Sequence, residues 1–283
     1  MSDTSKALAQ ALSERFGEAF SIPEGLPSLD RLLNIASYTS HRSWSEQALD
    51  PALLRLLVAC ALSAPSKSYL QQADVIEVRD PVRRKAVAQL VPSMPWLSSA
   101  PALLVFCGNG RRFRRLFASR DLPFTNEHLD GFFNPVVDAS LVMMNFIHAC
   151  TSAGLVCCPI SVLRDQAVRL AEILEIPDHV VPVAGLCVGY PSQTRSINPR
   201  LSLTATLHVD RFDDQASDSL IEAFDERYVS ARAAVLKGSD VGPKAPSSAP
   251  SPSTWSEEKV KQYAQGQRKD WGTFVKSKKF DLS

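Results

Sequence analysis

Val-Val-Pro-Val-Ala-Gly-Leu-Cys-Val-Gly-Tyr-Pro, residues 180–191, reads as a buried strand (180–188) followed by the turn Gly189-Tyr190-Pro191. An apolar run without alternation is what a strand covered on both faces needs. Ala-Leu-Leu-Val-Phe-Cys at 102–107 is a second such run, so it too belongs near the middle of a sheet. Residues 73–78 and 155–160 are shorter strand-like stretches. Helical patterns fall at 29–37, 52–62, 80–90, 138–152, 165–174 and 220–236. Asp50-Pro51 and Asp80-Pro81 are helix starts, because Asp caps and Pro suits the first helical position. Residues 111–134, basic and then aromatic with Pro123 inside, read as an irregular excursion. Strands alternating with helices predict an α/β or α+β domain around a mixed sheet.

Composition narrows the class. With 45% apolar and 22% charged residues among 283, a packed core is expected rather than disorder. Lys and Arg number 31 against 30 Asp and Glu, a formal charge of +1, so no global field draws the chain to nucleic acid or to an anionic membrane. Cys60, Cys107, Cys150, Cys157, Cys158 and Cys187 lie in apolar stretches without C-x-x-C or metal-like spacing, and are expected as reduced, buried thiols. Residues 1–20 lack the apolar region of a signal peptide, and a cytoplasmic protein is expected. Residues 139–163 are long enough to span a bilayer, but Asn145, Gly154, Pro159 and the lack of positive flanks favour a buried helix followed by a strand. The expected division is an extension at 1–28, the main domain at 29–238, a flexible Ser/Pro/Ala-rich linker at 239–253 and a helical tail at 254–283. Thr254 and Glu257 fit a capping box that opens the tail.

The five histidines are scattered, and no metal site is expected. There is no G-x-S-x-G, P-loop or G-x-G-x-x-G pattern. Three loops put cationic or hydroxyl donors at the ends of apolar elements: His-Arg-Ser-Trp-Ser at 41–45, Ser-Ala-Pro-Ser-Lys-Ser-Tyr-Leu-Gln at 63–71 and Asn-Pro-Arg-Leu at 198–201. Arg with Ser suits a phosphate monoester, since a guanidinium fork and hydroxyls complement its oxygens. The same serines suit helix caps and turns, and composition alone leaves both readings standing.

In order and spacing the chain resembles the FMN-dependent nitroreductase superfamily, within it the group of NADPH-flavin oxidoreductases and major oxygen-insensitive nitroreductases. The residues that carry the resemblance are His41-Arg42-Ser43, the stretch 66–71, Val136-Val137-Asp138, residues 160–164, the run 176–191, Pro199-Arg200-Leu201 and His208. It implies an α+β fold, a mixed central sheet surrounded by helices, with FMN at a homodimer interface. His41, Arg42 and Ser43 match the motif that holds the FMN phosphate and ribityl chain. Ser66 and Ser68 match a serine loop near the flavin, Asp138 an acidic position near the site, Ser161 the loop before Arg164, and Arg164 a second phosphate-side arginine. Arg200 matches an arginine implicated in NADPH binding.

The implied activity is hydride transfer from NADPH (or NADH) through FMN to a nitroaromatic, quinone or flavin in ping-pong turnover, with the flavin rather than a catalytic side chain carrying the chemistry. The implied partners are a second copy of the chain and a small aromatic acceptor, with no nucleic acid and no membrane. Three departures surround the flavin ring: Ser45 replaces a basic residue, Val-Pro-Ser-Met-Pro-Trp at 91–96 replaces a Gly-Gly-Gln-type loop, and Pro-Ile-Ser-Val at 159–162 replaces Tyr-Ile-Gly-Gly. They point to an altered substrate choice. A dedicated pathway flavoenzyme and a non-catalytic flavin-binding protein are the alternatives. Residues 111–134 are expected as a lid whose Phe113, Phe117, Phe124, Phe132 and Phe133 face an aromatic acceptor or simply cover the core.

Overall fold

The computed structural model describes residues 2–238 and 253–283, so almost all of the expected linker at 239–253 lies outside the described residues. In chain order the helices are α1 (Asp3–Phe16), α2 (Leu29–Ala36), α3 (Pro51–Leu62), α4 (Pro81–Gln89), α5 (Arg111–Ala118), α6 (Asp130–Ser152), α7 (Ala167–Ile173), α8 (Leu203–Thr206), α9 (Ser217–Gly238), α10 (Trp255–Tyr263) and α11 (Trp271–Ser277). The strands are β1 (Ala73–Glu77), β2 (Ala102–Asn109), β3 (Val156–Ile160) and β4 (Val180–Gly189). They form two compact units, one of Met1–Thr39 with Arg195–Gln267 and one of Ser40–Thr194 with Arg268–Ser283.

The second unit holds the sheet, in the order β1-β2-β4-β3. The two unbroken apolar runs occupy its middle, and every residue of β4 is buried. Among the described residues every neighbouring pair is antiparallel, so the sheet is not mixed. Alternating strands and helices suggest parallel pairing, and β2 and β3 do run the same way. But β4 is inserted between them in the opposite direction, so the parallel relation never becomes a hydrogen-bonded one. Alternate β2 residues feed the two faces. Leu103, Val105 and Cys107 join a cluster with Val87 of α4, Leu170 of α7 and Phe274 of α11. On the other face Phe106 meets Phe146 of α6 edge-on, with ring centroids 6.0 Å apart. Behind α6, the Asn145 amide donates to the Cys60 carbonyl of α3 at 2.8 Å.

Two helices differ from expectation for local reasons. α5 occupies the start of the expected irregular excursion, because the Asn109 side-chain oxygen accepts from the backbone N–H groups of Arg111 (2.8 Å) and Arg112 (3.1 Å). That satisfies two of the donors a helix start leaves open. α6 begins at Asp130 and runs through Pro135, well before the expected start at 138. A Cβ on Gly108 would stand 2.9 Å from the Pro135 backbone, so a glycine in β2 lets the interrupted turn lie directly on the sheet. The stretch considered for a membrane span divides between α6 and β3, and among the described residues no helix is long and apolar enough to cross a membrane. Among the described residues no cysteine is in a disulfide; Cys60 is exposed on α3, contrary to expectation, because α3 buries Leu54, Leu57 and Ala61 instead, while the other five are buried.

In the first unit α1 and α2 share Leu8, Ala11 and Ala36 as a small core. Arg15, only 7% exposed, donates to the carbonyls of Ala36 (2.8 Å), Tyr38 (2.7 Å) and Asn198 (3.2 Å), tying both helices to the strap that carries Arg200. The capping box at Thr254 and Glu257 is present, and α10 docks on α9 through Phe224 against Trp255 at 5.4 Å and the Ser256 amide donating to Asp225 at 2.9 Å.

Candidate active site

The segment 41–45 is laid down as an extended strip along strand ends. The His41 N–H donates to the Cys157 carbonyl (3.1 Å), the Ser45 N–H to the Tyr190 carbonyl (3.0 Å), and Trp44 bridges Pro191. His41 is buried, while Arg42 is exposed. The Arg42 guanidinium lies 5.9 Å from the Trp96 ring centroid and has no ion-pair partner among the described residues. The Ser43 hydroxyl accepts from the Ser192 hydroxyl (3.0 Å) and the Gln193 amide (3.2 Å). The indole N–H of Trp44 is buried with no acceptor among the described residues. A free cation beside hydroxyls makes an uncompensated surface, the arrangement that attracts a phosphate monoester.

The serine loop is built differently. Ser68, Tyr69 and Gln71 all have positive φ (48°, 60° and 52°), which costs backbone energy for residues with side chains. What holds the strain is Asp138, 1% exposed on α6. Its two carboxylate oxygens accept from the backbone N–H groups of Lys67 and Gln72, both at 3.1 Å. The Ser66 hydroxyl closes the loop by accepting from the Gln71 N–H at 3.1 Å. The structure therefore brings Ser66, Ser68 and Asp138 together, with Asp138 as the loop's anchor and its carboxylate fully engaged.

Ser161 and Arg164 meet the C-terminal tail. Arg164 donates to the Val183 carbonyl and stacks 5.7 Å from the Trp271 ring centroid. Its pKa is lowered by burial and, less, by neighbouring Arg268. Arg268 donates to Asp165 at 2.6 Å and reaches the Ser161 hydroxyl at 3.5 Å. Arg200 belongs to the other unit, where its N–H donates to the Arg15 carbonyl at 2.6 Å and its side chain is exposed.

Of the basic cluster on α5, three arginines are occupied within the chain. Arg112 pairs with Asp74 (2.7 Å), Arg114 pairs with Glu127 through two N–H groups, and Arg111 reaches the Asp178 carbonyl at 3.4 Å. Phe113, Phe117 and Phe124 do line a cleft, whereas Phe132 packs on Phe280 in the core and Phe133 is 56% exposed. The replaced loop at 91–96 turns Trp96 towards Trp44, with centroids 5.9 Å apart. Sequence reasoning missed Gln193, Ser192 and Arg268. The first two follow directly on the turn at 189–191, which is the signal that could have found them.

The fold is α+β around an antiparallel sheet, with the exposed Arg42 and neighbouring hydroxyls at its strand ends. Residues 35–190 match the Nitroreductase family and residues 198–283 its C-terminal domain, and the chain belongs to the nitroreductase family. It is 33% identical over 201 residues, 68% of this chain and 80% of the other, to the FMN reductase [NAD(P)H] of Bacillus subtilis. It is 27% identical over 192 residues, 68% of this chain and 78% of the other, to the NADPH-flavin oxidoreductase of Vibrio harveyi. Among solved structures it resembles the hypothetical oxidoreductase YcnD from Bacillus subtilis, with a TM-score of 0.81 and 25% identity, covering 90% of this chain and 99% of that one.

Proposed function

We propose that this chain is an FMN-dependent NAD(P)H oxidoreductase working as a homodimer. The observation that carries the reading is Arg42, an exposed guanidinium with no counter-charge among the described residues, beside the Ser43 hydroxyl. These residues fit the phosphate end of FMN. The family membership and the names of the relatives support the same cofactor and reductant. When bound, FMN supplies two-electron transfer from a nicotinamide to an aromatic acceptor.

The chain's own residues bind and orient. Arg42 and Ser43 hold the phosphate by charge-assisted hydrogen bonds. Ser66 and Ser68 face the cofactor from a loop whose shape Asp138 fixes in advance, so little order is lost on binding. Arg164, spent on the Val183 carbonyl and Trp271, braces the strand end rather than donating freely to a ligand. Arg200, exposed on the other unit, serves the reductant and favours NADPH over NADH. An apolar face on α3 and α6, with Leu56 (59%), Leu62 (49%), Leu141 (41%) and Met144 (41%) exposed, supports pairing with a second copy.

The test is to saturate the purified protein with FMN and add NADPH without oxygen. Bleaching of the visible flavin bands is expected. A flavin that binds and stays oxidised with both NADPH and NADH would refute the activity and favour a non-catalytic flavin-binding protein.

A further inference from the structure

A cleft of about 300 Å³ lies in the sheet-bearing unit between the serine loop, α5 and the start of α6. Its walls are aromatic. Phe113, Phe117 and Phe124 line it, with Phe117 and Phe124 edge-on at 5.3 Å. The cleft is shaped by construction: a Cβ on Gly131 would come within 2.8 Å of the Asn126 carbonyl oxygen, so only glycine lets that wall close.

Its charges cancel internally. Arg114 spends its guanidinium on Glu127 and on the Gly110 carbonyl at 2.7 Å, and lies over the Phe124 ring with its centre 4.8 Å from the centroid. Lys67 faces Asp130 at 3.5 Å. No cation is left over for a phosphate or carboxylate, in contrast to Arg42. One polar side chain is left over instead. Gln72 is 6% exposed, and its backbone is held by Asp138 and Asn109, yet its side-chain amide has no partner among the described residues and lines the cleft. An amide that opens into a largely apolar cleft with no protein partner is available to a ligand that presents a complementary edge. The amide of Asn134, half-buried on the same wall, is also without a partner among the described residues.

The geometry points to a binding site for a neutral, planar aromatic molecule whose edge both donates and accepts a hydrogen bond, as a lactam or carboxamide does. The phenylalanine rings take its faces, and Gln72 with Asn134 reads its edge. The site shares the serine loop with the flavin reading but needs neither the bound cofactor nor Arg42. Pockets of this size sit at the small end of ligand sites, which suits a two-ring molecule.

Titration calorimetry on the full chain saturated with FMN tests this with three probes: 2-quinolone, its N-methyl derivative and quinoline-2-carboxylate. 2-Quinolone is expected to bind about tenfold more tightly than the N-methyl form, the worth of one hydrogen bond, and the carboxylate to bind least. Gln72→Leu removes the discrimination, because only the side chain changes while the backbone N–H stays on Asp138. Asn134→Leu reduces it, and serves if the first variant fails to fold. Equal binding of the first two probes, tighter binding of the carboxylate, or undiminished discrimination in both variants overturns the proposal. Flavin bleaching by NADPH, followed on the same preparation, separates failure of this site from failure of the oxidoreductase reading.

Discussion

The strip at 41–45 and the loop at 66–71 use similar letters, a basic residue flanked by serines, yet they solve different problems. The strip is extended backbone lying on strand ends, and its cation, Arg42, faces solvent uncompensated. The loop stores three positive-φ residues, pairs its cation, Lys67, with Asp130 and rests on a buried carboxylate. The strip leaves its charge free, as the proposed phosphate site requires; the loop is a shaped wall that owes its form to Asp138. A Ser-and-cation pattern therefore marks an anion site only where the fold leaves the charge unpaired.

The sharpest way to break the comparison is Asp138→Ala. It strands two backbone N–H groups, each costing about 1–3 kcal/mol when buried and unpaired, so a stability loss of about 2–6 kcal/mol is expected in urea unfolding. A loss as small as that of an exposed substitution would mean the loop holds its shape unaided. Arg42→Ala is expected to do the reverse. Stability barely moves, while FMN affinity falls about 10–100-fold, the worth of one charge-assisted hydrogen bond. Unchanged affinity would show that the phosphate is held elsewhere.

A control lies in the sheet itself. Burial pushes the Cys107 and Cys187 thiols up to about 12 from an ordinary 9.0. The unfolded chain releases those protons first, so the stability they support is complete below pH 9 and is lost as pH rises towards 12. By pH 10 about 1 kcal/mol per thiol should be gone, and Cys107→Ala should flatten the loss; an identical pH profile in that variant would rule the thiol out as its source. Ser66→Ala has the smallest expected effect. Losing the hydroxyl that accepts from Gln71 should cost about 1 kcal/mol, seen as a modest fall in Tm, and no fall would leave Asp138 as the loop's sole support.

Much of the fold was legible because its central strands are unbroken apolar runs, and burial on both faces leaves no alternative reading for 102–107 and 180–188. Strand direction was not legible, since insertion of β4 between β2 and β3 is a matter of packing that no local pattern records. α5 was hidden because its start is fixed by the Asn109 side chain, which caps the helix, within a stretch that reads as an irregular excursion. The start of α6 was hidden by Pro135, which sits inside the helix with its backbone packed against Gly108 of β2. At the site, Arg42 and Ser43 could be named from their motif, but the engagement of Asp138 by the loop's amides depends on a contact spanning some seventy residues. The same separation kept Gln72 out of view.

The most direct measurement is the affinity of FMN against that of riboflavin, which lacks the phosphate, in the intact protein and in Arg42→Ala. The account predicts a strong preference for FMN, on the order of a hundredfold, that shrinks by about tenfold or more in the variant while riboflavin binding is unchanged. Equal affinity for the two flavins, or a preference that survives loss of Arg42, would contradict it.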